Sequence, residues 1–422
     1  MTNIIYVRHE ASDDESEIGD SPSETVKLNC FGYPVQSPLA AAPNKEEIEV
    51  KVNLDDVAVV ESENQELTPF LVGIPRRRSI STRVNKNLPN NLQGEQVAAG
   101  WPIWLVSVAS EAIHGWTPIP AHTFEKLHQI SRGARSEVHK AKDTATGKIV
   151  ALKKVRIDKF DSASLRSMAR QLIILRRLAH HPNIIKLEGL VVSSKNKRYC
   201  KLQLVFEYME HSLSDLATSR GIKFTETQVK SYMHQLLSGL EHFHGHGVLH
   251  RNLNGSNLLI DNEGRLKIAG FGSALFFDPK NGKPMSCRVA SLWYRAPELI
   301  LGVTNYGVGI DLWSTGCLLG ELLSGQPIMS GCTQVEQLHK IFKLCGSPSE
   351  AYWRTAKLSY ANASLFMPQY PYKRCIVKTF KTFSPSSLRL MEILLAIDPV
   401  ERQTATASLK SEFFTVKPSI CQ

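Results

Sequence analysis

The sequence lacks any run of 18 uninterrupted apolar residues, the length that a membrane-spanning helix requires. Its longest candidate, residues 101–113, contains Ser107, Ser110 and Glu111, so we expect no membrane span. The 8 cysteines include no Cys-x-x-Cys pair, which predicts buried thiols in a reducing compartment. Acidic residues follow closely on the N-terminus, unlike in a secretory signal peptide. These absences predict an intracellular protein of the cytoplasm or the nucleus.

Acidic residues are in the minority beyond residue 120. Residues 1–120 carry 9 Lys+Arg and 17 Asp+Glu, a net −8, whereas the rest of the chain carries 41 and 23, a net +18. Such a basic body can attract nucleic acid, acidic partners or its own acidic tail. No basic stripe interleaved with aromatic residues favours nucleic acid. We therefore interpret the charge as a solvated surface and expect no nucleic-acid partner.

The N-terminal third of the chain divides into a tail and an extension. Residues 1–95 combine an acidic run with recurrent Pro, Asn and Ser, which predicts a disordered tail. Within it, Ser79 follows three arginines, and this is either a phosphorylation site for a basophilic kinase or a chance basic cluster. Residues 96–123 carry spaced tryptophans and aliphatic residues, which predict a short amphipathic helix that packs on the following domain.

From residue 124 the pattern becomes dense. Short β-branched runs separated by glycine turns predict strands up to Tyr208, interrupted by a helix over residues 162–178 with apolar residues every three or four positions. Further helices are predicted at 226–244, 311–323, 335–344 and 387–395. The fold class is therefore α+β, with a small β-rich lobe followed by a larger helical lobe.

Ordered motifs then identify a family resemblance. They are Val150-Ala151-Leu152-Lys153, His250-Arg251-Asn252-Leu253-Asn254-Gly255-Ser256-Asn257, Gly270-Phe271-Gly272, Ala296-Pro297-Glu298 and Asp311-Leu312-Trp313. In this order the stretch 124–414 resembles the eukaryotic protein kinase domain. The segments 292–299 and 344–348 are similar to the cyclin-dependent-kinase-like branch, and 100–102 with 186–190 to a plant group within it. The resemblance implies a bilobal kinase fold over 124–415, with the N-lobe at 124–206, the hinge at 207–211, the C-lobe at 212–415 and a short tail at 416–422.

The resemblance also implies that the catalytic groups are degenerate. Four charged groups have neutral equivalents: Asn252 for the general base, Gly270 for the principal Mg²⁺ ligand, Gln171 for the helix glutamate and Asn254 for the catalytic-loop lysine. A carboxamide cannot take a proton at neutral pH, and glycine offers no ligand to a hard cation. Asn257 remains as a weak metal ligand, so Mg²⁺ binding is doubtful. Asp261, Glu263 and Asp278 offer no obvious substitute carboxylate.

Other parts of the family pattern are retained. The nucleotide pocket would consist of Gly133, Val138, Ala151, Lys153, Phe206, Glu207, Met209 and Leu259. A hydrophobic column linking the lobes would consist of Leu175, Leu187, His250 and Phe271. The structural polar groups would be Glu298 paired with Arg402, and Asp311 holding the catalytic loop. Ser286 aligns with the activation-segment phosphosite, with Arg170 and Arg251 as partners and a third partner lost at Leu275. A pocket for ATP can thus persist without a competent Mg²⁺ site.

Three functions fit this pattern. The preferred one is a pseudokinase that acts as a scaffold or allosteric regulator of protein partners, such as a cyclin-like protein or another kinase, since function follows from the site rather than from the fold. The alternative is an active serine/threonine kinase with an unusual metal arrangement. The third, a nucleotide sensor that binds ATP without hydrolysis, overlaps the first.

Overall fold

The computed structural model describes residues 90–133, 136–158, 161–193, 199–219, 223–278, 280, 282–355 and 370–416. The predictions for Ser79, for most of the N-terminal tail and for residues 417–422 lie outside these ranges. Among the described helices, none has the length and apolar character needed to cross a membrane.

Between residue 90, where the described part of the chain begins, and the first strand lie two α-helices. They are α1, Asn90–Ala98, and α2, Ile103–Ile113. Helix α1 begins inside the stretch predicted as tail, and the Gln96 side chain fixes it to α2 through hydrogen bonds with Ser110. Helix α2 buries one face, because Leu105, Ala109 and Ile113 recur at four-residue spacing.

The first lobe is a five-stranded antiparallel sheet with the spatial order β1-β2-β3-β5-β4. Its strands are β1 Phe124–Arg132, β2 Ser136–Asp143, β3 Ile149–Asp158, β4 Leu187–Ser193 and β5 Tyr199–Glu207. Helix α3, Ser162–Leu178, connects β3 to β4 and has the predicted bounds. The Asp161 side chain caps it by accepting a hydrogen bond from the Ala163 amide.

The second lobe is mainly helical. The helices within its described residues are α4 Leu213–Thr218, α5 Glu226–Gly245, α6 Pro297–Ile300, α7 Gly309–Ser324, α8 Gln334–Cys345, α9 Glu350–Thr355, α10 Ile376–Thr379, α11 Pro385–Leu394, α12 Ala405–Leu409 and α13 Glu412–Thr415. Its short strands are β6 His211–Ser212, β7 Val248–Leu249, β8 Leu258–Ile260, β9 Leu266–Ile268 and β10 Leu275–Phe276. Buried side chains of α5, α7 and α11 belong to one core that continues through α3 to α2. The α+β class with a β-rich first lobe is confirmed.

The cysteines only partly match the expectation of buried thiols, because Cys287 and Cys375 are only half-buried. Cys287, Cys317, Cys345 and Cys375 are free, and burial raises the pKa of Cys345 to about 12, which keeps it protonated. The expectation is wrong at Cys332, an exposed residue before α8 that is bonded in a disulfide.

Candidate functional site

One face of the first-lobe sheet carries four of the predicted pocket residues. Val138 lies opposite Lys153, and Ala151 lies opposite Phe206, in the β2–β3 and β3–β5 ladders. Because directly opposite residues share a face and residues two apart on one strand do too, all four side chains point to the same side. Each is half-buried, as is Leu259 in β8. The structure therefore gathers an apolar wall around one lysine.

At the tip of the sheet, the amide of Gly133 donates to the Ser136 carbonyl at 2.8 Å and closes the turn between β1 and β2. The turn that carries Gly133, a predicted pocket residue, is therefore closed by this hydrogen bond, while residues 134–135 lie outside the described ranges.

The segment after β5 has the features expected of a hinge. The Glu207 carboxylate accepts the Lys186 amide at 2.7 Å and pairs with Lys267 at 2.8 Å, so this side chain fastens the hinge rather than facing a ligand. Neither the backbone amide nor the carbonyl of Met209 bonds to another described residue. These backbone groups remain available to the edge of a purine.

Lys153 has no counter-charge among the described residues. It makes no ion pair or side-chain hydrogen bond there, and the half-buried Gln171 of α3 likewise makes none. Burial lowers the pKa of the Lys153 amine because nothing offsets the loss of hydration. No hydrogen bond joins the side chains of Lys153 and Gln171 in the described structure.

The position of the missing metal ligand is filled by a neighbouring side chain. Gly270 adopts φ 81°, and a Cβ built there would overlap the amide of Asn257. That amide donates from Nδ2 to the Asn252 carbonyl at 2.8 Å. Asn257, which the resemblance predicts as a weak metal ligand, therefore lies in the space beside Gly270 and is held there by the Asn252 carbonyl.

The replacement for the general base is tied into a neutral network. Oδ1 of Asn252 accepts the Ser291 amide at 3.1 Å and the Ser291 hydroxyl at 3.3 Å. Asn254 donates to the Ser291 hydroxyl at 3.2 Å and to the Asn252 carbonyl at 3.2 Å. Sequence reasoning missed Ser291, although its place five residues before the Ala296-Pro297-Glu298 motif was a usable signal. The network links the two loops but contains no group that accepts a proton at neutral pH.

Nearby carboxylates do not compensate. Asp261 pairs with Arg265 at 2.7 Å in the exposed turn between β8 and β9, and Glu263 pairs with the same arginine at 2.9 Å. Asp278 is exposed and accepts the Lys280 amide at 2.9 Å. Within the described part of the chain, no cluster of three or more His, Cys, Asp or Glu side chains could hold a metal ion.

The catalytic-loop backbone is nevertheless firmly held. The buried carboxylate of Asp311 accepts the amides of His250 at 2.9 Å and Arg251 at 2.8 Å, and contacts His244 at 3.1 Å. Burial opposes ionisation, but the hydrogen bond and charge of His244, with the other donors, lower the pKa of Asp311 overall. These contacts hold Arg251 at φ 65°, a left-handed conformation rare outside glycine. His244 was missed by sequence reasoning, since surface histidines are common near helix ends.

The predicted hydrophobic column is buried throughout. Leu175, Leu187, His250 and Phe271 expose at most 3% of their surface. The rings of His250 and Phe271 meet edge to face with centroids 5.8 Å apart. Phe243 of α5 contacts both rings and was not predicted, because any apolar residue in α5 fits the helical repeat equally well.

Two arginines lie close together behind the activation segment. Arg170 donates to the Ala274 carbonyl at 3.0 Å, and Arg251 to the Ser273 carbonyl at 2.7 Å. Burial, together with the charge of Arg251, lowers the pKa of Arg170. Arg251 also donates to the Tyr306 hydroxyl, which in turn donates to the carbonyl of the exposed Ser286. The three predicted residues are therefore connected, with Tyr306 as an unpredicted link.

Beneath the segment, Glu298 and Arg402 form a buried two-pronged ion pair. The distances are 2.7 Å and 2.9 Å, and neither side chain exposes more than 3% of its surface. Arg402 also donates to three backbone carbonyls, those of Ala396, Ile397 and Gly309. Its guanidinium lies 5.0 Å from the centre of the Trp313 ring.

Comparison with known proteins agrees with this geometry. The family model for the protein kinase domain matches residues 124–414. A probable serine/threonine-protein kinase of Arabidopsis thaliana is 58% identical over 350 residues, which are 82% of this chain and 60% of that protein. Cyclin-dependent kinase C-2 C of Arabidopsis thaliana is 49% identical over 331 residues, covering 78% of this chain and 50% of that protein.

A solved kinase structure is also similar to this chain. A chain of the yeast RNA Pol II CTD kinase CTDK-1 complex is 34% identical with a TM-score of 0.62, covering 70% of this chain and 94% of that one. The chain thus spans between half and two thirds of the length of the two plant relatives, while it covers nearly all of this structural neighbour.

Proposed function

The chain belongs to the protein kinase family, and we propose that it is a catalytically inactive member that works by binding other proteins. The observation that carries this proposal is the neutral cleft, in which Asn252 is bonded to Ser291 and the Asn257 amide fills the space beside Gly270. Phosphoryl transfer needs metal ions on the phosphates and a group that orients the attacking hydroxyl. Loss of a general base alone lowers a rate by about 10²–10⁴.

The parts that support the fold argue for a binding role. The Asp311 anchor, the buried column and the Glu298–Arg402 pair hold the loops in fixed positions without contributing to chemistry. A rigid fold with a catalytically inactive cleft can present surfaces to protein partners. The likeness to cyclin-dependent kinases and to one chain of a kinase complex suggests a protein partner, such as a cyclin-like protein or another kinase.

We further propose that the cleft binds ATP without Mg²⁺. The apolar wall and the free backbone groups of Met209 suit a purine, and Lys153 is a cation without a partner among the described residues. A phosphate would supply the missing counter-charge. Mg²⁺ would compete with Lys153 for that phosphate while finding few protein ligands, so it should not tighten binding.

Catalytic inactivity is tested by radiolabelled transfer from ATP to a generic Ser/Thr substrate protein. We expect no transfer by the full wild-type chain and measurable transfer by the Asn252→Asp/Gly270→Asp variant. The matched control is Asn262→Asp/Gly264→Asp, because Gly264 also has positive φ, 79°, but borders open space away from the cleft. Wild-type transfer at about 1–100 s⁻¹, abolished by Lys153→Ala, would show an active kinase instead.

Nucleotide binding is tested by calorimetric titration of the full chain with ATP, in EDTA and in Mg²⁺. Removing one charge-assisted contact is worth about 1.5–3 kcal/mol, so Lys153→Ala should weaken binding by about 10- to 150-fold. Lys154→Ala is the control, since Lys154 lies on the opposite face of β3 and pairs with Glu137 at 2.6 Å. Binding that requires Mg²⁺, or that survives Lys153→Ala unchanged, contradicts this part of the proposal.

A further inference from the structure

Helix α3 is held from outside the cleft by the extension that precedes β1. Inside the cleft, Gln171 makes no bond to Lys153, so no polar contact between these two side chains fixes the helix to the sheet. On the other side, α2 packs along α3. The extension is therefore in a position to influence where α3 lies.

The apolar face of α2 belongs to the same core as α3. Its buried members, each exposing at most 3% of their surface, are Leu105, Val106, Ala109, Ala112 and Ile113. Trp101 is also buried, and its Nε1 donates to the Trp116 carbonyl at 2.8 Å, which closes the extension on itself. Burial of one large aliphatic side chain stabilises a contact by about 1.5–3 kcal/mol.

Polar contacts fix the last turn of α3 to the end of α2. Arg177 pairs with Glu111 at 2.7 Å. The Arg176 guanidinium lies 4.0 Å from the centre of the Trp116 ring and donates to the His114 carbonyl at 3.3 Å. The extension therefore holds consecutive residues of α3 by two different kinds of contact.

A second attachment ties the extension to the sheet. The Ile119 amide donates to the Leu190 carbonyl of β4 at 2.9 Å. A Cβ on Gly189 would overlap Cδ1 of Ile119, so the extension approaches the backbone of β4 closely at this point. The extension thus connects α3 to the sheet through β4, whereas the missing ion pair would have connected α3 to the same sheet through Lys153 of β3.

We propose that residues 96–123 are the intramolecular partner of α3, holding this helix in place of the absent Lys153–Gln171 contact. The surface formed by the last turns of α3 is consequently occupied by the chain itself. Another protein can use that surface only by displacing the extension. A pocket of about 260 Å³ that is partly open to solvent lies in the seam, bordered by Ala112, Ile173 and His180.

Hydrogen exchange of the full chain, followed by mass spectrometry, tests this. Ile113→Ala leaves a cavity under α2 and should raise exchange of amides in α3 at least about tenfold. Leu390→Ala, which removes an equally buried side chain from α11, is the control and should leave α3 protected. Fast exchange in α2 with unchanged exchange in α3 would overturn the proposal, because the extension would then detach without consequence.

A charge exchange keeps the test valid if Ile113→Ala unfolds the chain. Glu111 and Arg177 are about half exposed, so changing them does not threaten the core. Glu111→Arg should raise exchange in the last turns of α3 by about two- to fivefold, and Glu111→Arg/Arg177→Glu should restore it. Exchange in α3 that is the same in both variants and in the wild type would refute the proposed role. Neither result depends on transfer activity, so failure here is distinguishable from failure of the proposed function.

Discussion

The buried pair of Glu298 and Arg402 makes a quantitative prediction about what holds the second lobe together. Arg402→Ala leaves a carboxylate buried without its partner and frees three backbone carbonyls that Arg402 now satisfies. Removing one partner of a buried ion pair destabilises by about 3–5 kcal/mol. Against a total stability of about 5–15 kcal/mol, such a loss is a large fraction.

Urea unfolding measures this loss directly. We expect the free energy of unfolding to fall by about 3–5 kcal/mol with little change in the slope, because the same surface is exposed. The control is Arg265→Ala, which removes an exposed arginine that pairs with Asp261 and Glu263 and should change stability by less than about 1 kcal/mol. An equal effect of the two variants would refute the reasoning that burial makes the Glu298–Arg402 pair essential.

Two further predictions concern a lysine and a glycine. Burial lowers the pKa of Lys153 from 10.5. Between the lowered value and 10.5 the unfolded chain binds more protons than the folded chain, so stability rises with pH in that window. Lys153→Met should therefore raise the unfolding temperature at pH 7, by an amount that shrinks towards pH 10, whereas Lys154→Met should not. Thermal scans across this pH range check it, and a gain that grows with pH has the wrong sign. Gly189→Ala should destabilise by about 1 kcal/mol, because the end of the Ile119 side chain must move aside. The double variant Gly189→Ala/Ile119→Ala should lose less than the separate effects of the two changes combined.

The secondary structure was largely predictable where the pattern is local. The apolar repeat gave the bounds of α3 without error, since a helix that packs on a sheet must keep its apolar face aligned. The beginning of α1 was not predictable, because two hydrogen bonds between Gln96 and Ser110 attach this helix to α2. A short stretch of sequence gives no signal for a hydrogen bond between residues on two different helices.

In the candidate site, the sequence predicted which groups are missing but not what replaces them. That Gly270 lacks a ligand is evident from its type alone. The Asn257 amide lies beside Gly270 because of its side-chain rotamer and its hydrogen bond to the Asn252 carbonyl. The folded loop determines both the rotamer and the bond. The Asn252–Ser291 contact joins residues 39 positions apart, so it required the fold to bring the two loops together.

The lost and retained groups differ in what their removal leaves behind. Replacing a cleft carboxylate by Asn or Gly leaves no buried charge unpaired, and the neutral network of Asn252 and Ser291 satisfies the polar atoms that remain. Removing Asp311 or Arg402 would leave several buried donors or acceptors unmatched. Lys153 does not follow this rule, because its half-buried amine has no partner among the described residues and burial lowers its pKa. Under the proposed function, the anionic phosphates of a bound nucleotide would supply the counter-charge that this amine lacks.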